Sequence, residues 1–181
     1  MGRAVVRQRD SNLRYGYFDS PVGSLLVAGD ADQLHLIGFP SESRTYGPRA
    51  DWRRDDGRFA DAFRQLDAYF AGDLTRFDLL LRFAGTAFQN KVWAALCDIP
   101  FGATVSYGAL ASRIGKPTAS RAVGGANGAN PLPIVVPCHR VIGSDRSLTG
   151  FGGGIQIKKF LLDHEQKVSP REEPQRSAAW P

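Results

Sequence analysis

The chain holds two cysteines, Cys97 and Cys138, and only one keeps company that could activate a thiol. Cys138 stands in the run Asn130-Pro131-Leu132-Pro133-Ile134-Val135-Val136-Pro137-Cys138-His139-Arg140-Val141-Ile142. A thiol is a weak nucleophile until deprotonated, with a free pKa of about 8.5. A histidine can take that proton, and a carboxylate can orient the histidine and stabilise its charged form. Glu165 is the favoured carboxylate, because it follows the apolar stripe of a helix expected over 156–165 (Ile157, Phe160, Leu161, His164). Ile134-Val135-Val136 reads as a short buried strand whose three flanking prolines fix the backbone. Neighbours on a strand point to opposite sides, so Cys138 and His139 need a local turn or a bridging water to communicate. Cys97 lacks such neighbours and reads as a small buried hydrophobe.

The bulk composition leaves this chemistry room. With 181 residues the chain suits one full domain, or a small domain joined to a medium one. A net charge of +5 permits a nucleic-acid partner without demanding one. Two cysteines with no Cys-x-x-Cys pair make no disulfide framework, and the three histidines give no zinc pattern. Residues 1–12 are polar and lack the apolar core of a signal peptide. No apolar run approaches a membrane span. The expected location is a reducing cytoplasm, where a free thiol persists.

The elements that must carry Cys138 follow from periodicity. Leu13, Tyr15 and Tyr17 alternate, Ser24 to Ala28 forms a second run and Gln33 to Phe39 a third; the turns between predict an antiparallel meander. Residues 41–57 read as a loop. Phe59, Phe63, Leu66, Tyr69 and Phe70 share one helical face, ended by Gly72. This first block, 1–82, contains no catalytic constellation. A second block, 83–166, opens with capping-box spacing at Thr86 and Gln89 before the stripe Phe88, Val92, Trp93, Leu96. Ser106 can cap a helix carrying Tyr107, Leu110, Ala111 and Ile114. Gly115-Lys116-Pro117 breaks it, and another helix is expected from Thr118 to about Asn127. The tail 167–181 is expected to be disordered.

Two short helices across a Gly-x-Pro turn fit a helix-turn-helix or an ordinary hairpin. Val105 to Asn130 holds the basic residues Arg113, Lys116 and Arg121 and no acidic one. The second helix is built of Ala119, Ala122, Gly124, Gly125 and Ala126. Each interior glycine costs about 1 kcal/mol against alanine, which makes sense where a backbone must come close to DNA or to a neighbouring helix. Arg121 is the one long side chain among them. The stretch Thr149-Gly150-Phe151-Gly152-Gly153-Gly154 could bring amides to a ligand but is no phosphate fingerprint.

Taken together, Pro137 to Val141, Asn130-Pro131, Ser120 to Ala126, Phe88 to Trp93, Val105-Ser106-Tyr107 and His164-Glu165 resemble the O6-alkylguanine-DNA alkyltransferases, in register from about Gly85 to Glu165. The resemblance implies an α+β protein. Its N-terminal domain would be ribonuclease H-like, with a small antiparallel sheet, and its C-terminal domain mostly helical with a helix-turn-helix. It implies irreversible, single-turnover transfer of an alkyl group from O6-alkylguanine in double-stranded DNA to Cys138, after base flipping. O4-alkylthymine is a further candidate substrate. His139 would act as base through a water, Glu165 would orient it, and Asn130 would hold the turn before Cys138. Tyr107 would contact the flipped base and give a proton. Val141, Gly152 and Lys158 would complete the substrate site. Family members often have serine where Gly152 stands. Arg121 would enter the base stack, with Ala119, Ala122, Gly125, Ser106 and Thr118 against the minor groove. A monomer is implied, with no cofactor and no metal. Zinc domains of some relatives lack their ligands here, and a branch with tryptophan in place of the cysteine is excluded by Cys138. Two rivals stand beside this reading, a Cys-His-Glu thiol hydrolase and a damage-binding module in which Cys138 is incidental.

Overall fold

A computed structural model describes residues 13–40 and 47–168. Four strands form one sheet in the order β3-β2-β1-β4. β1 (Arg14–Ser20) and β2 (Gly23–Gly29) pair antiparallel from Arg14 opposite Gly29 to Ser20 opposite Gly23. β3 (Leu34–Gly38) adds antiparallel to β2, with a register shift at Ala28 and Gly29. The expected meander is therefore present, but the sheet is mixed. β4 (Arg53–Arg54), inside the stretch expected as loop, pairs parallel with β1. Its two arginines are exposed, so no apolar pattern marked it in the sequence. Residues 41–46 of that stretch lie outside the described residues.

The alternation in β1 runs on the opposite face from the one its tyrosines mark. Gly16 and Phe18 point inward, while Tyr17 is 39% exposed. Phe18 packs on Phe63 and Phe70 of α1 (Ala60–Ala71), and this contact sets the buried face. α1 buries Ala62, Gln65, Leu66 and Tyr69. It stops at Gly72, whose φ of 88° is left-handed and is readily adopted by glycine. Phe59 closes a 3-10 turn (Asp56–Phe59) ahead of the helix.

The outer edge of β3 is covered rather than left open, as edges in stable sheets are. Leu34 N donates to Leu80 O, Arg82 N to Leu34 O, and Ile37 N to Pro131 O. Pro131 belongs to the cysteine-bearing segment, so the N-terminal sheet is hydrogen-bonded directly to the region of Cys138.

The second half is helical. α2 (Ala87–Cys97) begins with the expected capping box of Thr86 and Gln89 and buries Val92, Trp93 and Leu96. The Trp93 indole donates to Ala126 O at 2.8 Å, pinning α2 to α4. Ser106 caps α3 (Tyr107–Arg113) through Ala109 N. α4 (Ser120–Gly128) starts two residues later than expected, leaving Thr118 and Ala119 in the preceding turn. Two short strands, β5 (Val105–Ser106) and β6 (Val141–Ile142), pair parallel and hold the start of α3 beside the segment after Cys138. α5 (Ile155–Val168) ends the described chain and extends past the expected boundary at 166; residues 169–181 of the expected tail lie outside the described residues. No helix among the described residues is long and apolar enough to cross a membrane.

Candidate active site

The segment that presents Cys138 is a turn, not the expected strand. Its prolines remove backbone donors that a sheet would need. Asn130 supplies the missing order: Nδ2 donates to Val136 O at 2.8 Å, and Oδ1 accepts from Leu132 N at 3.0 Å. Within this clamp Ile134 has φ 74°, a rare and strained value for a β-branched residue. Cys138–Arg140 then forms one 3-10 turn, closed by Arg140 N on Pro137 O. The local turn that Cys138 and His139 needed is thus built into the backbone.

The turn delivers His139 and Arg140 onto one carboxylate. Glu165 Oε1 stands 2.8 Å from His139 Nε2 and accepts from Arg140 Nη2 at 2.9 Å and from the Tyr69 hydroxyl at 2.9 Å. Oε2 accepts from Arg140 Nε and from Gly102 N, each at 2.9 Å. Burial alone would raise this carboxyl. The hydrogen bonds and charges of His139 and Arg140 outweigh it and hold Glu165 well below the usual carboxylate range. An ionised carboxylate only accepts, so the His139 proton lies on Nε2. Nδ1 is then the basic nitrogen. It is buried and has no protein partner. Burial holds the ring below its ordinary pKa; Glu165 opposes that effect, and the charges of Arg140 and Lys158 reinforce it.

Cys138 is a buried thiol, not a standing thiolate. Burial pushes it up to about 11, against the pull of the Asn130 amide and the Lys158 ammonium. A thiol in this setting needs a proton acceptor to become a nucleophile, and Nδ1 of the adjacent residue has no partner. Lys158 is fully buried and donates to Val141 O at 2.6 Å and Thr149 O at 2.8 Å. It ties together the two loops around the cysteine.

Two recesses meet at Gly128. One, about 30 Å³, is lined by Cys138, Asn130, Pro133, Gly152 and, from the N-terminal half, Ile37 and Phe39. The other, about 400 Å³ and open, is lined by Tyr107, Ser120, Arg121, Gly124, Thr149 and Gly150. The Tyr107 hydroxyl donates to Thr149 O at 3.3 Å. Arg121, Ala122, Gly125 and Thr118 are exposed, Ala119 is half-buried, and the Ser106 side chain is used as a helix cap. A β-carbon at Gly125 would meet no atom within 4 Å, and one at Gly124 only the Tyr107 ring at 3.8 Å. Packing between helices therefore does not require these glycines.

Sequence reasoning missed three donors to Glu165. Arg140 adjoins His139, and its buried guanidinium could have been suspected from a charge inside an apolar run. Tyr69 read only as a core aromatic, and the Gly102 amide has no sequence signal. The expectation for Cys97 fails: it is the last residue of α2 and is exposed, with the buried face of that end supplied by Leu96 and Ile99. A cleft of about 570 Å³ is lined by Cys97 and Arg140 and does not include Cys138. Among the described residues no group of three or more histidine, cysteine or acidic side chains is placed to hold a metal ion.

Both halves of the chain match known proteins. Residues 87–167 match the DNA binding domain of 6-O-methylguanine DNA methyltransferase, and residues 13–83 match its ribonuclease-like domain. The methylated-DNA–protein-cysteine methyltransferase of Mycobacterium tuberculosis is 50% identical over 159 residues, which cover 87% of this chain and 95% of the relative. The chain belongs to the 6-O-methylguanine DNA methyltransferase family. The corresponding protein of Methanosarcina acetivorans is 48% identical over 153 residues, 84% of this chain and 98% of that one. Among solved structures, the Mycobacterium tuberculosis O6-methylguanine methyltransferase superposes with a TM-score of 0.82 at 50% identity, covering 88% of this chain and 96% of that one. The Mycobacterium tuberculosis protein in complex with DNA superposes at 0.79 with 49% identity over the same shares of the two chains. The family's ribonuclease-like part is thus the mixed sheet with α1, and its DNA-binding part is the helical half.

Proposed function

We propose that this chain repairs O6-alkylguanine in double-stranded DNA by taking the alkyl group onto Cys138, once per molecule. The carrying observation is the buried 2.8 Å contact between His139 Nε2 and Glu165 Oε1: an ionised Glu165 holds the proton on Nε2 and leaves Nδ1, on the residue next to Cys138, without a partner. In the reaction a sulfur–carbon bond forms and the bond from that carbon to O6 breaks, its electron pair leaving with guanine. The thiol proton passes through a water to His139, and Tyr107 gives a proton to the departing base. The thioether is not reversed by ordinary thiol chemistry, so the protein acts once and needs no cofactor.

The target base is flipped out of the duplex, at a cost of a few kcal/mol. Arg121 offsets part of this by entering the stack. Ala122, Gly125 and Thr118, with Ala119 and Ser106 beside them, lie against the minor groove, where phosphates and groove shape are read without regard to sequence. Val141 and Gly152 contact the base through their backbones, with Lys158 fixing the Val141 carbonyl. The protein works as a monomer in a reducing cytoplasm. Mixing it with excess duplex containing one O6-methylguanine should give repair that stops at one lesion per protein; continued turnover, or hydrolysis of esters, would point to the thiol hydrolase instead.

A further inference from the structure

Glu165 receives five protein donors, and one of them comes from the N-terminal half. Tyr69 is fully buried on α1, 96 residues before Glu165 in sequence, and its hydroxyl reaches Oε1, the same oxygen that binds His139. The apolar surroundings and the Glu165 charge hold the Tyr69 hydroxyl far above its ordinary pKa, so it stays a donor at every working pH. We infer that Tyr69 is a positioning residue for alkyl transfer: its hydroxyl sets how strongly Glu165 Oε1 holds the His139 ring. The inference rests on the proposed role of His139 as base.

The sign follows from shared electron density. Each donor on Oε1 makes that oxygen a poorer acceptor for the next. Removing the Tyr69 hydroxyl leaves Oε1 to His139 Nε2 and Arg140 Nη2, so the carboxylate stabilises imidazolium more strongly. His139 then becomes protonated at a higher pH and is lost as a base sooner on acidification. The other groups facing the pair are fixed in kind: Arg140 and Lys158 disfavour a charged ring, and Cys138 is a neutral thiol. His164 packs its ring on Tyr69 at 5.3 Å and bonds Tyr69 O, so its own titration must be followed in the same experiment.

The test is an NMR titration of the His139 ring in the full chain, for wild type, Tyr69→Phe and Leu66→Val. Leu66 is equally buried on the same helix and has no group that could hydrogen-bond Glu165, so it controls for lost packing. Tyr69→Phe should raise the His139 pKa by about half a unit or more, since a hydrogen bond to a charged group outweighs a neutral one. The acid limb of methyl transfer should move with it, and Leu66→Val should move neither. Site-specific 3-fluorotyrosine at position 69, a stronger donor, should shift His139 downward and serves if Tyr69→Phe does not fold. An unchanged His139 pKa in both would overturn the inference. A shifted pKa in a protein that transfers no methyl group would instead overturn the proposed function and leave the coupling standing.

Discussion

His139 Nε2 and Glu165 Oε1 stand 2.8 Å apart, both side chains wholly buried, although 26 residues separate them in the chain. The contact exists because a proline-bounded turn aims His139 inward and α5 brings Glu165 to meet it. It assigns the ring's proton and therefore its basic nitrogen. The proposed reaction at Cys138 relies on this relation.

Glu165→Gln should remove the assignment. The neutral amide no longer stabilises imidazolium, and Arg140 loses its counter-charge in a buried setting. Methyl transfer should slow by about a hundredfold, the lower range for a positioned acid–base group. Stability should fall by roughly 3 kcal/mol, as for other broken buried pairs. Binding to undamaged duplex should persist. Stopped-flow transfer, denaturant unfolding and a DNA-binding titration check the three parts, and unchanged transfer would mean another carboxylate does the work.

Acid sensitivity follows from the same group. Glu165 has a folded pKa below its unfolded value, so its stabilisation is complete above the unfolded value of about 4.3 and is lost as pH falls below it. His139 is also depressed, so the unfolded state binds more protons below about pH 6.5 and stability falls with acidification there too. The two act in one direction. Unfolding free energy should decline from about pH 6.5 downward, and Glu165→Gln should flatten the lower part of that decline. A wild-type profile level down to about pH 3 would contradict it.

Asn130→Ala should loosen the turn that carries the cysteine. Leu132 N loses its acceptor, and Val136 O keeps only the Cys138 N–H. The expected cost is about 1–3 kcal/mol in stability, accompanied by slower transfer even to the free base, O6-benzylguanine. Normal transfer in a destabilised protein would confine Asn130 to folding.

Arg121→Ala separates base extrusion from chemistry. Arg121 is exposed and lines the recess that holds Tyr107, and it is not among the donors to Glu165. Repair of duplex should fall by about tenfold or more, because a vacated stack costs a few kcal/mol to leave unfilled, while reaction with free O6-benzylguanine stays near wild type. Equal losses on both substrates would refute a role in flipping.

The parts of this site legible in the sequence were those with local chemistry. Cys138 next to His139, the capping residues Thr86 and Ser106, and the stripe leading to Glu165 each carry a short-range signal. The strand expected at Ile134 to Val136 failed because apolar content cannot separate a buried strand from a buried turn, and here the Asn130 clamp decided it. β4 was hidden by its exposed arginines. Tyr69 was hidden for a different reason: its hydroxyl acts across the interface between the two halves, and helical spacing reveals only that its ring is buried. The glycines of α4 were visible, but only the empty space around Gly125 showed that no neighbouring helix requires it.

The most direct measurement is the intact mass of the protein after incubation with a duplex carrying a single O6-methylguanine, followed by peptide mapping. The account predicts a gain of one methyl group per molecule, located on Cys138, with none on exposed Cys97. No gain in mass together with tight binding to the lesion, or a methyl group found on another residue, would contradict it.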